Sequence, residues 1–355
     1  MPYDRELAVA IDVLHHTSRL SLAVLSSTNK AIHSKDDHSP VTVADFAIQA
    51  VLSATFSHHF PADHLVGEED SSALRADPSL LARVVAELAA LAAALPAAAL
   101  TRIPTDPHDI CRFIDLCAAG SPAARSRTWV FDPIDGTQAF ISHGLFAINI
   151  GLVANAAQLL GAVACPNLDP AAAVRGPISN SSTSTSGCIF TATAGGGAFV
   201  RPLDPHDPAP PRRLAKTSAA TDPVVLVGCS TMPKSAHDAL HRAVATRLDA
   251  EFPGSDLISW VVRYCALALG AGNAAVWVYL KDERRSKIWD HAGAQLVFIE
   301  AGGTVTDTRG RPMDFAAGRL MSENYGILAA DAGVYEKVKT ELHQVMREFG
   351  RKELE

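Results

Sequence analysis

Apolar residues recur at helical spacing in several stretches of the first half of the chain. Residues 5–27 have this period, and residues 46–60 continue it after a polar break, with Thr42 or Asp45 as the candidate N-terminal cap. Residues 78–100 are rich in alanine and leucine, which have high helix propensity. The pattern therefore predicts three helices before residue 101.

Short apolar runs bounded by turn residues predict strands between these helices. Residues 64–67 form one such run and lead directly into the acidic sequence 68–70 (EED). Residues 128–132 form a second run, which we expect Pro133 to stop, and residues 146–154 form a third. Acidic residues consequently stand where two of the strands end.

The second half alternates strand-like and helix-like segments. The predicted elements are a hairpin of residues 189–193 and 198–200, a strand at 223–228, helices at 235–252 and 257–270, a strand at 274–280, a helix at 289–301 and a strand at 304–306. This order favours a mixed α+β or α/β fold. We expect a domain boundary near residues 156–160, which divides the chain into an N-terminal α+β domain at 1–157 and a C-terminal α/β domain at 158–355.

Composition and charge narrow the functional classes. The chain has 355 residues, of which 48% are hydrophobic and only 6% aromatic, which suits stacked helices and sheets. A formal net charge of −7 offers no basic surface for nucleic-acid polymers. The charged start and the lack of a run of about 18 apolar residues predict a cytoplasmic protein that does not interact with membranes. The six cysteines form no C-x-x-C pair that would indicate zinc.

Residues 129–137 (WVFDPIDGT) carry the clearest candidate chemistry. The predicted strand delivers Asp132, and Asp135 follows closely enough for both carboxylates to face one point. Hard oxygen donors of this kind suit Mg²⁺. Gly136 permits a tight turn, so that its amide and that of Thr137 are candidates to hold a phosphate oxygen.

Each acidic position also has an ordinary structural interpretation. D-P-x-D-G is a common turn in which Asp135 acts as a cap, Glu68 fits an exposed surface acid, and Asp290 fits a helix N-cap. The occurrence of all these acids beside predicted element ends favours a shared metal site over separate explanations. No Ser-His-Asp or Cys-His pattern competes with it.

These segments resemble the lithium-sensitive, inositol monophosphatase-like phosphatase superfamily. The resemblance is carried by residues 67–69 (GEE), 132–137 (DPIDGT) and 289–292 (WDHA). Within that superfamily, the chain is most similar to the 3'(2'),5'-bisphosphate nucleotidases through residues 39–45 (SPVTVAD), 164–168 (ACPNL) and 287–291 (KIWDH). The matching segments run in order between about residues 4 and 340.

The resemblance implies a layered αβαβα sandwich that binds two or three Mg²⁺ ions. The implied metal ligands are the carboxylates of Glu68, Asp132, Asp135 and Asp290 and the carbonyl of Ile134. Asp45 and Thr137 match the pair that orients and deprotonates the attacking water. Sensitivity to Li⁺ is a further expectation from the family.

The resemblance also implies a set of substrate contacts, some of which depart from the nucleotidase pattern. The candidates are Gly136, Thr137, His237, Ser259, Arg263 and Trp277. Ser259 and Trp260 compete for the position where the nucleotidases have serine, and lysine is usual beside Arg263. Asn273 stands where aspartate is expected, and Trp277 stands in place of a substrate-binding arginine.

Three functions are compatible with this sequence. The first is Mg²⁺-dependent removal of the 3'-phosphate from adenosine 3',5'-bisphosphate, with its 5'-phosphosulfate analogue as a further substrate. The second is hydrolysis of an inositol polyphosphate or another small phosphate ester, suggested by Asn273 and Trp277. The third is a non-catalytic nucleotide-binding protein, which the complete acidic set disfavours. All three imply a small phosphorylated partner.

Overall fold

The computed structural model describes residues 3–27, 33–34, 40–121, 126–174, 176–216, 218–232 and 235–354. The helices within these ranges are α1 (Asp4–Ser26), α2 (Val43–His59), α3 (Ser72–Ala76), α4 (Pro78–Ala93), α5 (Pro107–Ala118), α6 (Thr137–Ile141), α7 (Pro170–Val174), α8 (Asp238–Arg247), α9 (Trp260–Leu269), α10 (Ala294–Glu300) and α11 (Tyr335–Glu348). Two short 3₁₀ helices span Ile288–Asp290 and Lys352–Leu354. Within the same ranges, no helix is both long and apolar enough to cross a membrane.

Fourteen strands are present in these same ranges. They are β1 (His33–Ser34), β2 (Pro40–Val41), β3 (His64–Gly67), β4 (Thr128–Asp135), β5 (Ala147–Ala154), β6 (Ala157–Cys165), β7 (Cys188–Thr193), β8 (Gly197–Pro202), β9 (Arg212–Leu214), β10 (Val227–Gly228), β11 (Ser255–Asp256), β12 (Ala274–Trp277), β13 (Gly303–Thr306) and β14 (Ile327–Asp331). The predicted hairpin is confirmed by the pairing of β7 with β8.

A seven-stranded sheet forms the centre of the molecule. Its order is β3-β4-β5-β6-β7-β8-β9, in which β3 and β4 are parallel and each later pair is antiparallel. A smaller antiparallel sheet has the order β12-β14-β13, and β10 pairs with β11 in parallel. The predicted boundary between residues 157 and 158 falls at the start of β6, just after the turn of the β5–β6 hairpin, and the large sheet includes strands from both sides of it.

Helices and sheets alternate in five layers. Helices α1 and α2 pack on one face of the seven-stranded sheet, and α9 and α10 pack on the other side of that sheet. The small sheet contacts α10 through β13, and α8 and α11 pack outside it. Three buried apolar clusters fill these interfaces, which is the main source of stability for such an arrangement. The predicted αβαβα sandwich is confirmed.

Helix α2 shows how local sequence fixes an element that the site uses. Thr42 caps its N-terminus by accepting a hydrogen bond from the Ala44 amide, and Asp45 accepts from the Thr42 amide over 2.8 Å. This reciprocal arrangement is a capping box. Asp45 is therefore held at the first turn of a helix that is buried along nearly its whole length.

The prediction that Pro133 stops its strand is wrong. Strand β4 continues to Asp135, but its pairing with β5 places Asp132 opposite Asn149 and Asp135 opposite Ala147. Two residues of β4, Pro133 and Ile134, therefore face a single residue of β5, which is a β-bulge. Proline is tolerated there because a bulge does not require its missing N–H.

The prediction of one continuous helix at 289–301 is also wrong. A 3₁₀ turn ends at Asp290 and α10 begins only at Ala294. The side chain of Asn149 interrupts the helix, because its amide donates to the Trp289 carbonyl over 2.6 Å and its oxygen accepts from the Ala294 amide over 3.1 Å. These two bonds replace backbone bonds that a continuous helix would make.

Candidate functional site

Three aspartates meet beside the bulged end of β4. One carboxylate oxygen from each of Asp132, Asp135 and Asp290 lies within 4.8 Å of the other two. Asp132 is 1% exposed and Asp135 is 8% exposed, whereas Asp290 is half-buried. Around an octahedral Mg²⁺, adjacent ligand oxygens lie about 3.0 Å apart and opposite ones about 4.2 Å apart. The three carboxylates are therefore close enough to bind a single divalent cation if they draw together around it.

The bulge and the following glycine bring Asp132 and Asp135 together. Gly136 has a φ of 86°, a backbone conformation that residues other than glycine rarely adopt. A Cβ atom at this position would also lie 2.9 Å from the Cβ of Ser259. Glycine is thus required both by the backbone turn and by the close approach of the segment that leads into α9.

Asp290 is positioned by hydrogen bonds from the central sheet. Besides Asn149, which binds the carbonyl of Trp289, Gln158 of β6 donates to the carbonyls of His291 and Ala292 over 3.2 and 2.8 Å. The segment approaches the sheet closely, since a Cβ on Gly161 would lie 2.2 Å from the carbonyl oxygen of Gly293. The sheet therefore fixes the third carboxylate from the opposite side.

Asp135 is also held by the N-terminus of α9. Its Oδ2 accepts hydrogen bonds from the hydroxyl of Ser259 and, over 2.6 Å, from the amide of Val261. The pKa of the Asp135 carboxyl is raised to about 6, chiefly by burial and also by the charge of Glu68, while the two hydrogen bonds and the charge of Arg263 act in the opposite direction. A nearby cation would favour the ionised carboxylate.

Glu68 lies outside the group of three aspartates but belongs to the same electrostatic environment. It directly follows β3, and its charge contributes to the raised pKa of Asp135. Arg319 supports the end of this strand by donating to the carbonyl of Gly67 over 2.7 Å and to that of Cys117 over 3.1 Å. The guanidinium also lies 4.7 Å from the ring of Trp289, which precedes Asp290.

Asp45 and Thr137 are far apart in the sequence but their side chains are in contact. The hydroxyl of Thr137 lies 3.4 Å from Asp45 Oδ1 and 3.1 Å from the carbonyl oxygen of Ile134. Asp45 is fully buried, and its second oxygen is held by the hydroxyl and amide of Thr42. The carbonyl of Ile134 lies in the β4 bulge, between Asp132 and Asp135. In this arrangement the Thr137 hydroxyl is oriented to donate a proton to the Asp45 carboxylate.

Two predicted substrate contacts are buried inside the protein. Arg263 is 1% exposed and donates to the carbonyls of Leu257 and Ile258 over 2.8 and 3.1 Å. Trp277 is 2% exposed, and its ring lies 4.6 Å from the Arg263 guanidinium. Neither side chain provides a surface on which a ligand could rest in this structure. Ser259 is the N-cap of α9 and Trp260 is the first residue of that helix.

His237 and Asn273 lie on elements of the outer layers. His237 is the N-cap of α8, and its ring packs against Phe349 with the centroids 5.3 Å apart. Asn273 precedes β12, where its side chain accepts from the Val225 amide and donates to the Pro223 carbonyl, each over 2.8 Å. These contacts are structural, and none of them includes the three aspartates.

Sequence reasoning missed several residues that support the site. Asn149, Gln158 and Arg319 act through hydrogen bonds to backbone carbonyls that lie 133 to 252 positions away in the chain. Such contacts leave no local pattern, because the partner is a carbonyl that every residue possesses. Ser259 was identified, but its role as a hydrogen-bond donor to Asp135 has no signal in the spacing of the two residues.

The layered fold and the convergence of three aspartates beside the Asp45–Thr137 contact are features of a known class of phosphatases. A sequence model of the inositol monophosphatase family matches residues 4–347. The chain belongs to this family. The resemblance seen in the sequence is therefore confirmed, and the chain is a phosphatase. The alternative of a non-catalytic nucleotide-binding protein consequently has no support.

Similar proteins agree with this assignment. The 3'(2'),5'-bisphosphate nucleotidase of Emericella nidulans is 33% identical over 98% of this chain and 100% of its own length. The 3'(2'),5'-bisphosphate nucleotidase of Schizosaccharomyces pombe is 31% identical over 95% of each chain. Among solved structures, the IMPase of Thermotoga maritima has a TM-score of 0.60 and 17% identity, covering 98% of this chain and 100% of the other. Mycobacterium tuberculosis SuhB has a TM-score of 0.57 and 18% identity, with full coverage of both chains.

Proposed function

We propose that this protein is a Mg²⁺-dependent phosphomonoesterase that removes the 3'-phosphate of adenosine 3',5'-bisphosphate. The observation that carries the proposal is the convergence of Asp132, Asp135 and Asp290 beside the Asp45–Thr137 pair. The substrate is inferred from the names of relatives that match nearly the whole chain. The 5'-phosphosulfate analogue, which carries the same 3'-phosphate, is proposed as a further substrate.

The carboxylates supply a site for hard divalent cations. Asp132, Asp135 and Asp290 are the proposed ligands of a first ion, and Glu68 with the carbonyl of Ile134 is proposed to complete a site for two or three ions. Bound Mg²⁺ supplies charge that neutralises the phosphate and stabilises the departing alkoxide. The protein contributes by fixing these oxygens, with Asp132 and Asp135 buried and Asp290 and Glu68 half-buried.

The Asp45–Thr137 pair is proposed to prepare the attacking water. Thr137 Oγ1 accepts a proton from the water while its own proton passes to Asp45 Oδ1, which lies 3.4 Å away. The water oxygen forms a bond to phosphorus as the bond from phosphorus to the 3'-oxygen breaks. Thr42 keeps the Asp45 carboxylate in place through its second oxygen. Amides of Gly136 and Thr137 are proposed phosphate contacts.

A smaller phosphate ester, such as an inositol phosphate, is the second candidate substrate. The burial of Arg263 and Trp277 favours it, because neither residue is exposed for contact with the second phosphate or the base of a nucleotide. His237 and Ser259 remain proposed contacts for the nucleotide. Each of them already has a structural partner, since His237 packs against Phe349 and Ser259 donates to Asp135.

A substrate panel distinguishes the two candidates. Phosphate release is measured with Mg²⁺ on adenosine 3',5'-bisphosphate, its 5'-phosphosulfate analogue, inositol 1-phosphate and inositol 1,4-bisphosphate, with and without Li⁺. The proposal predicts the highest kcat/KM for the adenosine compounds, 5'-AMP as the product from the bisphosphate, and inhibition by Li⁺. A higher kcat/KM for the inositol phosphates supports the second candidate instead.

A further inference from the structure

We infer that Arg263 is a positioning residue that holds the N-terminus of α9 against Asp135 and so tunes the affinity of the site for divalent metal. This inference rests on the proposed metal-assisted hydrolysis. It differs from the role implied by sequence resemblance, in which Arg263 contacts the substrate. The contacts that carry it are those of the guanidinium, the residues before α9 and the carboxylate of Asp135.

The guanidinium is committed to the backbone that leads into α9. Arg263 Nε donates to the Leu257 carbonyl over 2.8 Å, and one terminal nitrogen donates to the Ile258 carbonyl over 3.1 Å. These carbonyls belong to the two residues immediately before Ser259, the N-cap of the helix. Arg263 therefore connects the second turn of α9 to the segment that enters it.

The same segment delivers both donors to Asp135. Ser259 donates through its hydroxyl and Val261 through its amide, and both bonds reach the same carboxylate oxygen, Oδ2. The hydroxyl of Ser259 also accepts from the Val262 amide over 2.9 Å, so its orientation depends on the start of the helix. Movement of residues 257–259 would move these donors relative to Asp135 Oδ2.

Two indole rings confine the guanidinium. Its central carbon lies 4.4 Å from the ring of Trp260 and 4.6 Å from that of Trp277. The indole nitrogen of Trp277 is buried without a hydrogen-bond partner among the described residues, so this tryptophan contributes through its ring surface. Cation–π contacts of a desolvated arginine stabilise this geometry. An arginine in this environment is rigid and inaccessible to a ligand.

Residues that orient a metal ligand without touching the metal typically change metal affinity by about 10- to 100-fold when they are substituted. Arg263 is one step further away, because it acts through Ser259 and Val261. We therefore expect Arg263→Met to weaken Mg²⁺ binding by about 10-fold. Arg263→Lys keeps the charge but offers one donor group without the planar fork, so its affinity should fall between those of Arg263→Met and the wild type.

The first test is calorimetric titration of Mg²⁺ into the wild type, Arg263→Met and Arg263→Lys. Arg351→Met is the matched control, because Arg351 is another buried arginine but pairs with Glu353 and Asp282 in the outer layer. Both methionine variants should lower the melting temperature. Only Arg263→Met should weaken Mg²⁺ binding, and equal affinity in Arg263→Met and the wild type overturns the inference.

The second test separates positioning from substrate contact. Metal-saturated kcat/KM is measured on adenosine 3',5'-bisphosphate and on adenosine 3'-monophosphate, which lacks the second phosphate. A positioning residue affects both substrates by the same factor, whereas a residue that binds the second phosphate affects only the bisphosphate. Loss confined to the bisphosphate, with unchanged Mg²⁺ affinity, assigns Arg263 to the substrate and contradicts the inference.

A third comparison covers the case in which Arg263→Met does not fold. Trp277→Leu removes the aromatic ring beside the guanidinium, whereas Trp277→Phe retains a smaller one. We expect weaker Mg²⁺ binding in the leucine variant than in the phenylalanine variant, and equal affinities overturn the inference. A wild-type protein that binds Mg²⁺ without releasing phosphate refutes the proposed function alone, because the calorimetric comparison still measures the role of Arg263.

Discussion

Thr137 Oγ1 and Asp45 Oδ1 lie 3.4 Å apart although they are separated by 92 residues in the chain. The capping box of α2 fixes one partner, and the turn after the β4 bulge fixes the other. Two unrelated local structures thus produce one candidate proton-transfer pair. Its hydroxyl lies 3.1 Å from the carbonyl oxygen of Ile134, which connects the pair to the β4 bulge that carries Asp132 and Asp135.

Replacing Thr137 tests this pair with little change in shape. Thr137→Val removes the hydroxyl and keeps the side-chain volume, so kcat should fall by about 100-fold or more if proton transfer depends on it. Thr137→Ser retains the hydroxyl and should keep most of the activity. Steady-state kinetics at saturating Mg²⁺ measures both variants. Similar activity in the valine variant and the wild type would show that Thr137 does not take part in proton transfer.

Replacing Asp135 tests the metal site. Asp135→Asn keeps the shape of the side chain but removes the charge, so Mg²⁺ affinity and turnover should each fall by at least about 100-fold. Asp109→Asn is the control, because Asp109 is an exposed acid paired with Arg112 on α5. Calorimetry and phosphate release measure the two variants. Equal losses in both, or a fully active Asp135→Asn protein, would argue against the assignment.

Gly161 tests how tightly the sheet holds the segment that carries Asp290. A Cβ at this position would lie 2.2 Å from the carbonyl oxygen of Gly293. The clash is with backbone atoms, which cannot move aside as a flexible side chain could. Gly161→Ala should reduce the free energy of unfolding by about 1–3 kcal/mol, the usual cost of overpacking. It should also weaken Mg²⁺ binding, because displacement of the backbone at Gly293 would move the nearby Asp290. Denaturant unfolding and calorimetry test this, and unchanged values for both would contradict the packing described here.

His241 predicts a specific dependence of stability on pH. Burial and, to a smaller extent, the charge of Arg263 lower the pKa of its imidazole to about 3, while Nε2 accepts a hydrogen bond from the Val278 amide over 2.8 Å. The unfolded chain takes up this proton below pH 6.5 but the folded chain does not, so stability falls as pH decreases from about 6.5 towards 3. The loss at pH 5 should be about 2 kcal/mol.

Urea unfolding of the wild type and His241→Gln at pH 5, 6 and 7 measures this dependence. Glutamine can accept the Val278 amide without binding a proton in this range, so the variant should show a smaller decrease in stability between pH 7 and pH 5. Other titrating groups contribute equally to both proteins. Identical slopes for the two proteins would show that His241 is not buried in its neutral form.

Local patterns in the sequence were sufficient to predict a mixed α+β or α/β fold and the main acidic positions, whereas the layered arrangement was implied by the family resemblance. Asp132 and Asp135 follow a visibly apolar strand, and Thr42 and Asp45 form a recognisable helix start. The exact path of the chain at residues 133–134 was not predictable, because the bulge depends on the register between β4 and β5. The same applies to the helix that Asn149 interrupts.

The environment of the substrate-side residues could not be predicted for a different reason. The spacing of Arg263 on a helix is compatible with either a buried or an exposed guanidinium. Its burial depends on two tryptophans that pack against it. Trp260 lies on the same helix, α9, and Trp277 lies on β12 of the three-stranded sheet. Tertiary packing of this kind is absent from any local pattern.

Phosphate release from adenosine 3',5'-bisphosphate as a function of Mg²⁺ concentration is the decisive measurement for metal-dependent hydrolysis of the 3'-phosphate. We expect no turnover after chelation of divalent metal, saturable activation when Mg²⁺ is restored, and stoichiometric formation of 5'-AMP. Phosphate release that continues at the same rate in the chelated protein, or no release at any Mg²⁺ concentration, would contradict this expectation.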